Sequence, residues 1–146
     1  MLLSQTAEYA LRAMAWMAIQ TPEQPVRARD MSEATQIPLH YLSKILRRLV
    51  LAGLLTSQKG QGGGFVLARP PEQIRFQDIL IALDLDTDGD ESRCAFGWGA
   101  CGEANPCPLH GAWSQLKHAM QSWAADTTLD AVRGTKRREA GDKPHA

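Results

Sequence analysis

The sequence predicts a mainly α-helical fold carrying one small β-hairpin, and three observations predict it. Apolar residues recur at helical spacing in stretches near residues 7–18, 42–50, 76–83 and 113–123. A single glycine-rich turn, Lys59–Gly64, separates two short strand-like runs. All three cysteines crowd into one fourteen-residue stretch, Cys94-x6-Cys101-x5-Cys107, which interrupts the helical pattern before the last of these stretches. A chain of 146 residues buries roughly 68–70% of its unfolded surface, enough for one main core with an appendage. Its 44% hydrophobic and 22% charged residues are ordinary for a soluble protein, and no long apolar run predicts a membrane partner.

Thr6–Gln20 sets Ala7, Ala10, Leu11, Met14, Met17 and Ala18 on one face of a first amphipathic helix, which Thr21-Pro22 ends. Beyond Pro25 and Val26, Ala28–Thr35 reads as a short second helix stopped at Gln36-Ile37. Pro38 opens a third helix at its first turn, where a missing N–H costs nothing; the helix runs from Leu39 to about Ala52, and Gly53 caps it. Leu54–Ser57 and Phe65–Ala68 are strands joined by Lys59–Gly64 into a hairpin. The turn is no phosphate loop, because it leads to a strand and Arg69-Pro70-Pro71 and so lacks a helix N-terminus to hold a phosphate. Two short helices across a tight turn, the second basic and followed by a hairpin, make a winged helix-turn-helix.

Arg75–Leu85 closes that unit as a fourth helix with Phe76, Ile79, Leu80 and Leu83 on one face. Pro108 starts a longer helix in which Trp113, Leu116, Met120 and Trp123 recur at steps of three, four and three, a heptad-like seam. So large an apolar stripe on so small a chain predicts a homodimer interface. Asp126–Arg133 adds a last helical turn, and the tail 134–146, with no apolar residue larger than alanine, is expected to be disordered. The expected organisation is therefore a winged-helix DNA-binding domain over 1–86, a cysteine-rich loop over 87–110, a dimerisation helix over 111–133 and the tail.

A net charge of zero conceals strong segregation. Residues 34–71 hold five basic side chains (Lys44, Arg47, Arg48, Lys59 and Arg69) and no acid, whereas residues 72–110 hold eight acids against two arginines. An acid-free basic block coinciding with the third helix and the hairpin predicts contact with a polyanion, double-stranded DNA. His40, Tyr41, Ser43, Lys44 and Arg47 lie on the first turns of the third helix, while Leu42, Ile45, Leu46, Leu49 and Val50 face the core. Ser43 and Lys44 are the candidates for base edges; Tyr41, Arg47, Arg48 and Lys59 are candidates for phosphate. Glycines of the wing, Gly62 among them, let backbone N–H groups come close to phosphates. No Ser/His/Asp set, paired carboxylates or cofactor fingerprint supports catalysis, so the chain is predicted to bind and not to be an enzyme.

An odd number of cysteines cannot close into disulfides within one subunit, and without an evident signal peptide the expected compartment is the reducing cytoplasm. Metal ligation is then the leading reading of Cys94, Cys101 and Cys107. Three thiolates leave a four-coordinate site one ligand short, to be filled by a nearby histidine or by a side chain from elsewhere in the assembly. Two alternatives stand beside it: zinc in a closed site of Cys94, Cys101, Cys107 and His110, and metal-free thiols that form a disulfide on oxidation. A loop holding Gly89, Gly97, Gly99 and Gly102 has little structure of its own and is expected to order around a ligand that Phe96 and Trp98 shield.

Glu8-Tyr9-Ala10-Leu11-Arg12, then Ile37-Pro38-Leu39-His40-Tyr41-Leu42, then Lys59-Gly60-Gln61-Gly62-Gly63-Gly64-Phe65-Val66-Leu67, then three clustered cysteines ending in Cys107-Pro108-Leu109-His110, follow one another in this chain. In that order and spacing, over about residues 1–133, it resembles the Rrf2 family of bacterial winged-helix regulators. The resemblance implies a homodimeric transcription factor, not zinc-bound but holding an iron-sulfur cluster, 2Fe-2S or 4Fe-4S, on its three cysteines. It also implies two candidates for the fourth ligand. His110 stands where IscR-like members carry a histidine, and an i, i+3 step puts it on the same helix face as Cys107. Glu8 stands where NsrR-like members carry an aspartate that reaches the cluster of the other subunit. The expected function is a regulator, a repressor by this resemblance, whose operator affinity is gated by a cluster that senses nitric oxide, oxygen or iron-sulfur status.

Overall fold

In the computed structural model, which describes residues 3–20, 24–85 and 94–134, the first helix, α1 (Gln5–Ile19), starts where the Ser4 hydroxyl accepts the Ala7 N–H at 3.2 Å. The predicted face is the buried one: Ala7, Ala10, Leu11, Met14, Met17 and Ala18 all lie in the core, joined by Ala13. α2 (Ala28–Thr35) has the predicted bounds, and Gln36 in the left-handed region turns the chain into α3 (Leu39–Leu51). Pro38 caps α3 from outside and does not occupy its first turn; its carbonyl accepts the Tyr41 and Leu42 N–H groups, each at 3.0 Å. At the other end Gly53, at φ 77°, donates to the Val50 carbonyl and Leu54 donates to that of Leu49, the paired bonds of a Schellman stop.

The hairpin is β1 (Leu55–Gln58) paired antiparallel with β2 (Gly64–Leu67), each strand one residue off its predicted bounds. A further backbone pairing, unsignalled in the sequence, joins Val26 to Phe65 through bonds of 2.9 and 2.8 Å and ties the wing to the segment before α2. This pairing explains Gly64, where a Cβ would stand 2.5 Å from the Val26 carbonyl oxygen.

α4 is shorter than predicted, Phe76–Ala82 in place of Arg75–Leu85. Asp84 adopts φ 52° and its N–H bonds to the Ile81 carbonyl while that of Leu85 bonds to Leu80, a left-handed stop made without glycine and so invisible to a search for one. α5 (His110–Asp126) ends seven residues before the predicted limit of Arg133. The cause is long-range pairing: Thr127 accepts from Phe76 N–H and Leu129 donates to the Ile74 carbonyl, both at 2.9 Å, so the backbone of Thr127–Leu129 is taken from the helix. A 3-10 turn, Leu129–Val132, follows, with Leu129 fully buried; the expected last turn thus re-enters the core and does not prolong the seam. Arg133 fixes the return by donating from Nε to the Ala18 carbonyl at 3.1 Å.

One core therefore joins Met14, Met31, Ile37, Leu42, Leu46, Leu49, Leu54, Ile74, Ile79 and Leu129, all fully buried. Burial of each such side chain contributes roughly 1.5–3 kcal/mol. Among the described residues, no helix is long and apolar enough to cross a membrane. The predicted tail lies outside the described residues from residue 135 onward, as does the first part of the predicted cysteine loop through residue 93.

Candidate metal centre and nucleic-acid interface

The three cysteines converge. Their sulfurs all lie within 4.8 Å of one another, none is in a disulfide, and Cys94 Sγ stands 3.7 Å from Cys107 Sγ. Short backbone turns hold them there. Cys94 N–H donates to the Gly99 carbonyl at 2.9 Å, and Gly97 N–H donates back to Cys94 at 3.0 Å, closing a loop that folds over the first sulfur. Gly102 and Asn105 pair with each other between the second and third cysteines. His110 N–H bonds to the Cys107 carbonyl at 3.0 Å, which ties the third cysteine to the start of α5.

Donors point at the sulfurs from several sides. Phe96 N–H approaches Cys94 Sγ at 3.4 Å and Cys107 N–H approaches Cys101 Sγ at 3.3 Å. The backbone N–H groups of Trp98 and Phe96 hold the Cys94 thiol below the usual cysteine range, whereas partial burial pushes Cys107 above it. Cys101 is the buried member of the set, and its sulfur lies 3.3 Å from Nδ1 of His110. His110 is thus beside Cys101; it opens α5, so the predicted helix face shared with Cys107 does not exist, and like Glu8 it lies outside the group of mutually close ligand atoms. Glu8 stands on the first turn of α1, half-buried and outside the group of mutually close ligand atoms. Phe96 and Trp98 are exposed, and Phe96 packs edge-on to Trp113 of the α5 seam at 5.9 Å.

The donor set suits a thiophilic metal. Soft thiolates select zinc, copper(I) or iron-sulfur clusters, and N–H donors to sulfur are the outer groups that tune such centres. The residues present therefore fit an iron-sulfur cluster in donor chemistry: three thiols, with His110 Nδ1 next to one of them.

The predicted DNA-contacting side chains are exposed. His40, Tyr41, Ser43, Lys44 and Arg47 are all exposed on α3, and Lys59 and Gly62 are exposed at the tip of the wing. The Ser43 hydroxyl donates to the Leu39 carbonyl at 2.8 Å, which leaves it an acceptor toward solvent. Arg48 stands apart from the others because its guanidinium pairs with Asp84 beyond α4. The rings of His40 and Tyr41 lie 4.3 Å apart, and Tyr41 in turn meets Tyr9 of α1 at 6.2 Å. This link between α1 and α3 has no periodic signal in the sequence.

The seam of α5 is partly covered within the chain. Trp123 packs edge-on to Phe76 at 5.3 Å, and with Leu3, Ala119 and Met120 it lines a shallow apolar depression open to solvent. Trp113, Leu116 and Trp123 remain exposed, and Ala124 is the one buried residue of α5.

Comparison with known proteins agrees with this architecture. The model of the Rrf2 family, described as an iron-dependent transcriptional regulator, matches residues 3–134. The HTH-type transcriptional regulator IscR of Cronobacter sakazakii is 31% identical over 146 residues, spanning 99% of this chain and 88% of that protein. IscR of Klebsiella pneumoniae is 32% identical over 129 residues, spanning 88% of this chain and 77% of that protein. Among solved structures, CymR, the global cysteine regulator of B. subtilis, superposes with a TM-score of 0.72 at 25% identity, covering 90% of this chain and 95% of that one. IscR of T. potens superposes with a TM-score of 0.68 at 25% identity, covering 88% and 82%.

Proposed function

The chain belongs to the Rrf2 family of transcriptional regulators, and from that premise we propose that it is a homodimeric DNA-binding repressor whose operator affinity is gated by an iron-sulfur cluster on Cys94, Cys101 and Cys107. The observation that carries the reading is the convergence of three unpaired cysteine sulfurs within 4.8 Å in a chain that also carries a helix-turn-helix with basic exposed side chains. His110, adjacent to Cys101, is the fourth ligand this arrangement favours; Glu8 of a second subunit is the alternative. When bound, such a cluster supplies a redox centre that nitric oxide or oxygen can attack.

The protein's own residues do the rest. Lys44 and Ser43 reach base edges, while Tyr41, Arg47, Lys59 and the backbone at Gly62 hold phosphates, with His40 bracing Tyr41. Trp113, Leu116, Met120 and Trp123 pack on a second copy and set the spacing of the two α3 helices. Cys107 lies three residues before α5, so ligation at the cysteines orders the base of the dimer helix directly. Arg48, already neutralised by Asp84, is left out of the phosphate set.

A single tetrahedral ion is the second reading, favoured by one distance. Metal–sulfur bonds of about 2.3 Å place tetrahedral ligands roughly 3.8 Å apart, and Cys94 and Cys107 are separated by 3.7 Å. Absorption spectra, with iron, sulfide and zinc content, of protein purified without oxygen decide between the two. A visible chromophore with iron and sulfide, bleached by nitric oxide as DNA is released, is expected. A colourless protein with stoichiometric zinc overturns the cluster and leaves the winged helix.

A further inference from the structure

Arg12 belongs to a motif that the cysteine chemistry and the recognition helix leave unused. It is an exposed residue of α1, and among the described residues no carboxylate pairs with it, although Glu8 lies one turn earlier on the same helix. Its guanidinium carbon lies 5.5 Å from the centre of the Tyr9 ring, and one Nη1 hydrogen reaches the Thr35 carbonyl at 3.5 Å. Tyr9 is held on its other sides by Gln5, whose Nε2 donates to the phenol oxygen at 3.1 Å, and by the Tyr41 ring at 6.2 Å. A continuous row, Arg12–Tyr9–Tyr41–His40, therefore runs from α1 to the first turn of α3, alongside the turn that begins after Thr35.

Two features of this row point outward. The ring and the single carbonyl contact fix the direction of the guanidinium while leaving four of its five N–H donors without a partner in that contact. The contact is also made at the last residue of α2, so the cation sits at the edge of the helix-turn-helix, where the first helix of such a motif crosses the nucleic-acid backbone. A bare cation orienting helix ends would serve as well with lysine; a planar fork pre-set by an aromatic ring is suited to a phosphate.

We propose that Arg12, aimed by Tyr9, extends the DNA-contacting surface from α3 onto α1 and binds one backbone phosphate per subunit. This rests on the DNA-binding reading above and adds to it a contact on a different helix. The role that competes with it is structural: the same guanidinium interacts favourably with the negative end of α2 through Thr35, and loss of that contact would weaken the fold without touching DNA.

Salt dependence separates the two. Binding of the full-length protein, purified without oxygen, to a 26-base-pair duplex of arbitrary sequence is followed by fluorescence anisotropy from low to moderate KCl, for the unsubstituted protein, Arg12→Gln and Arg12→Lys. A phosphate contact contributes about 0.9 to the slope of log affinity against log salt, so in a dimer Arg12→Gln is expected to make the slope shallower by about 1.8 while Arg12→Lys retains it. Thermal unfolding of each variant is recorded alongside. An unchanged slope in Arg12→Gln, with or without a lowered melting temperature, overturns the inference and leaves Arg12 as a helix-end partner. Absence of salt-dependent binding by the unsubstituted protein overturns the DNA-binding reading together with it.

Discussion

Residues 28–67 and residues 94–126 are of comparable length and are built on opposite principles. The first stretch buries Met31, Ile37, Leu42, Ile45, Leu46, Leu49, Leu54 and Leu55 and closes its turns with backbone bonds. In the second only Cys101 and Ala124 are buried, while Phe96, Trp98, Trp113, Leu116 and Trp123 stand exposed. Burial in a core shared with α1, α4 and Leu129, together with these bonds, accounts for the order of the first. The second has apolar surface in quantity but turns little of it inward, so on the proposed function its order depends on partners: a metal at the cysteines and a second copy along α5. A region held in the shared core is suited to presenting a fixed surface, and one that needs a ligand is suited to reporting whether the ligand is present.

Substitution on each side tests that contrast, and the largest effect is expected in the core. Leu46→Ala is expected to destabilise the protein by about 2–5 kcal/mol and to erase slow hydrogen exchange throughout residues 28–67. Leu116→Glu is expected to leave that protection in place and to convert the dimer to monomer in sedimentation. If Leu116→Glu removes protection from α2 and α3 as Leu46→Ala does, the two regions are one cooperative unit and the comparison fails.

Next in size is the metal. Cys101→Ser removes the buried sulfur and its contact with His110, and retained metal is expected to fall at least tenfold. Hydrogen exchange should then quicken in residues 94–113 and stay unchanged in residues 28–67. Equal quickening in both would mean that the cysteine loop supports the DNA-binding core directly.

How far each region is legible in the sequence follows the same divide. The buried face of α1, both bounds of α2 and the hairpin follow from periodicity and glycine placement, because local sequence specifies them. The cysteine cluster is legible from spacing, since three thiols within fourteen residues, one too many to pair as disulfides, share a reason that a common ligand supplies. What the pattern misses is set by distant backbone: the Val26–Phe65 pairing, the capture of Thr127–Leu129 by Ile74–Phe76, and the left-handed stop at Asp84. Pairing of this kind uses N–H and C=O groups that every residue carries, so it leaves no trace in side-chain order. The Tyr9–Tyr41 contact escapes for a related reason, because neither helix's own period requires the two rings to meet.

Within the cysteine loop the comparison sharpens to single groups. Backbone donors from Trp98 and Phe96 lower the Cys94 thiol pKa, and partial burial raises that of Cys107. A lowered pKa means more thiolate at a given pH, and the thiolate is the nucleophile. In metal-free protein, Cys94 is therefore expected to react with iodoacetamide at lower pH than Cys107, as read by mass spectrometry of digests across a pH series. Equal pH profiles would show that the loop keeps its turns only when metal is bound.

The smallest expected effect lies where the two regions meet. Arg48 of α3 pairs with Asp84, which follows α4 on the way to the cysteines, and both side chains are largely open to solvent. An exposed pair contributes roughly 0.2–1 kcal/mol, so Arg48→Gln is expected to cost no more than that in urea unfolding. Its effect on DNA should be smaller still. With its charge already balanced by Asp84, loss of Arg48 is expected to leave the salt slope of binding unchanged, whereas Arg47→Gln, at a phosphate, should make a dimer's slope shallower by about 1.8. Equal loss in the two variants would mean that Arg48 leaves Asp84 for a phosphate when DNA binds, and α3 would then be coupled to the approach of the cysteine loop through an ion pair that DNA breaks.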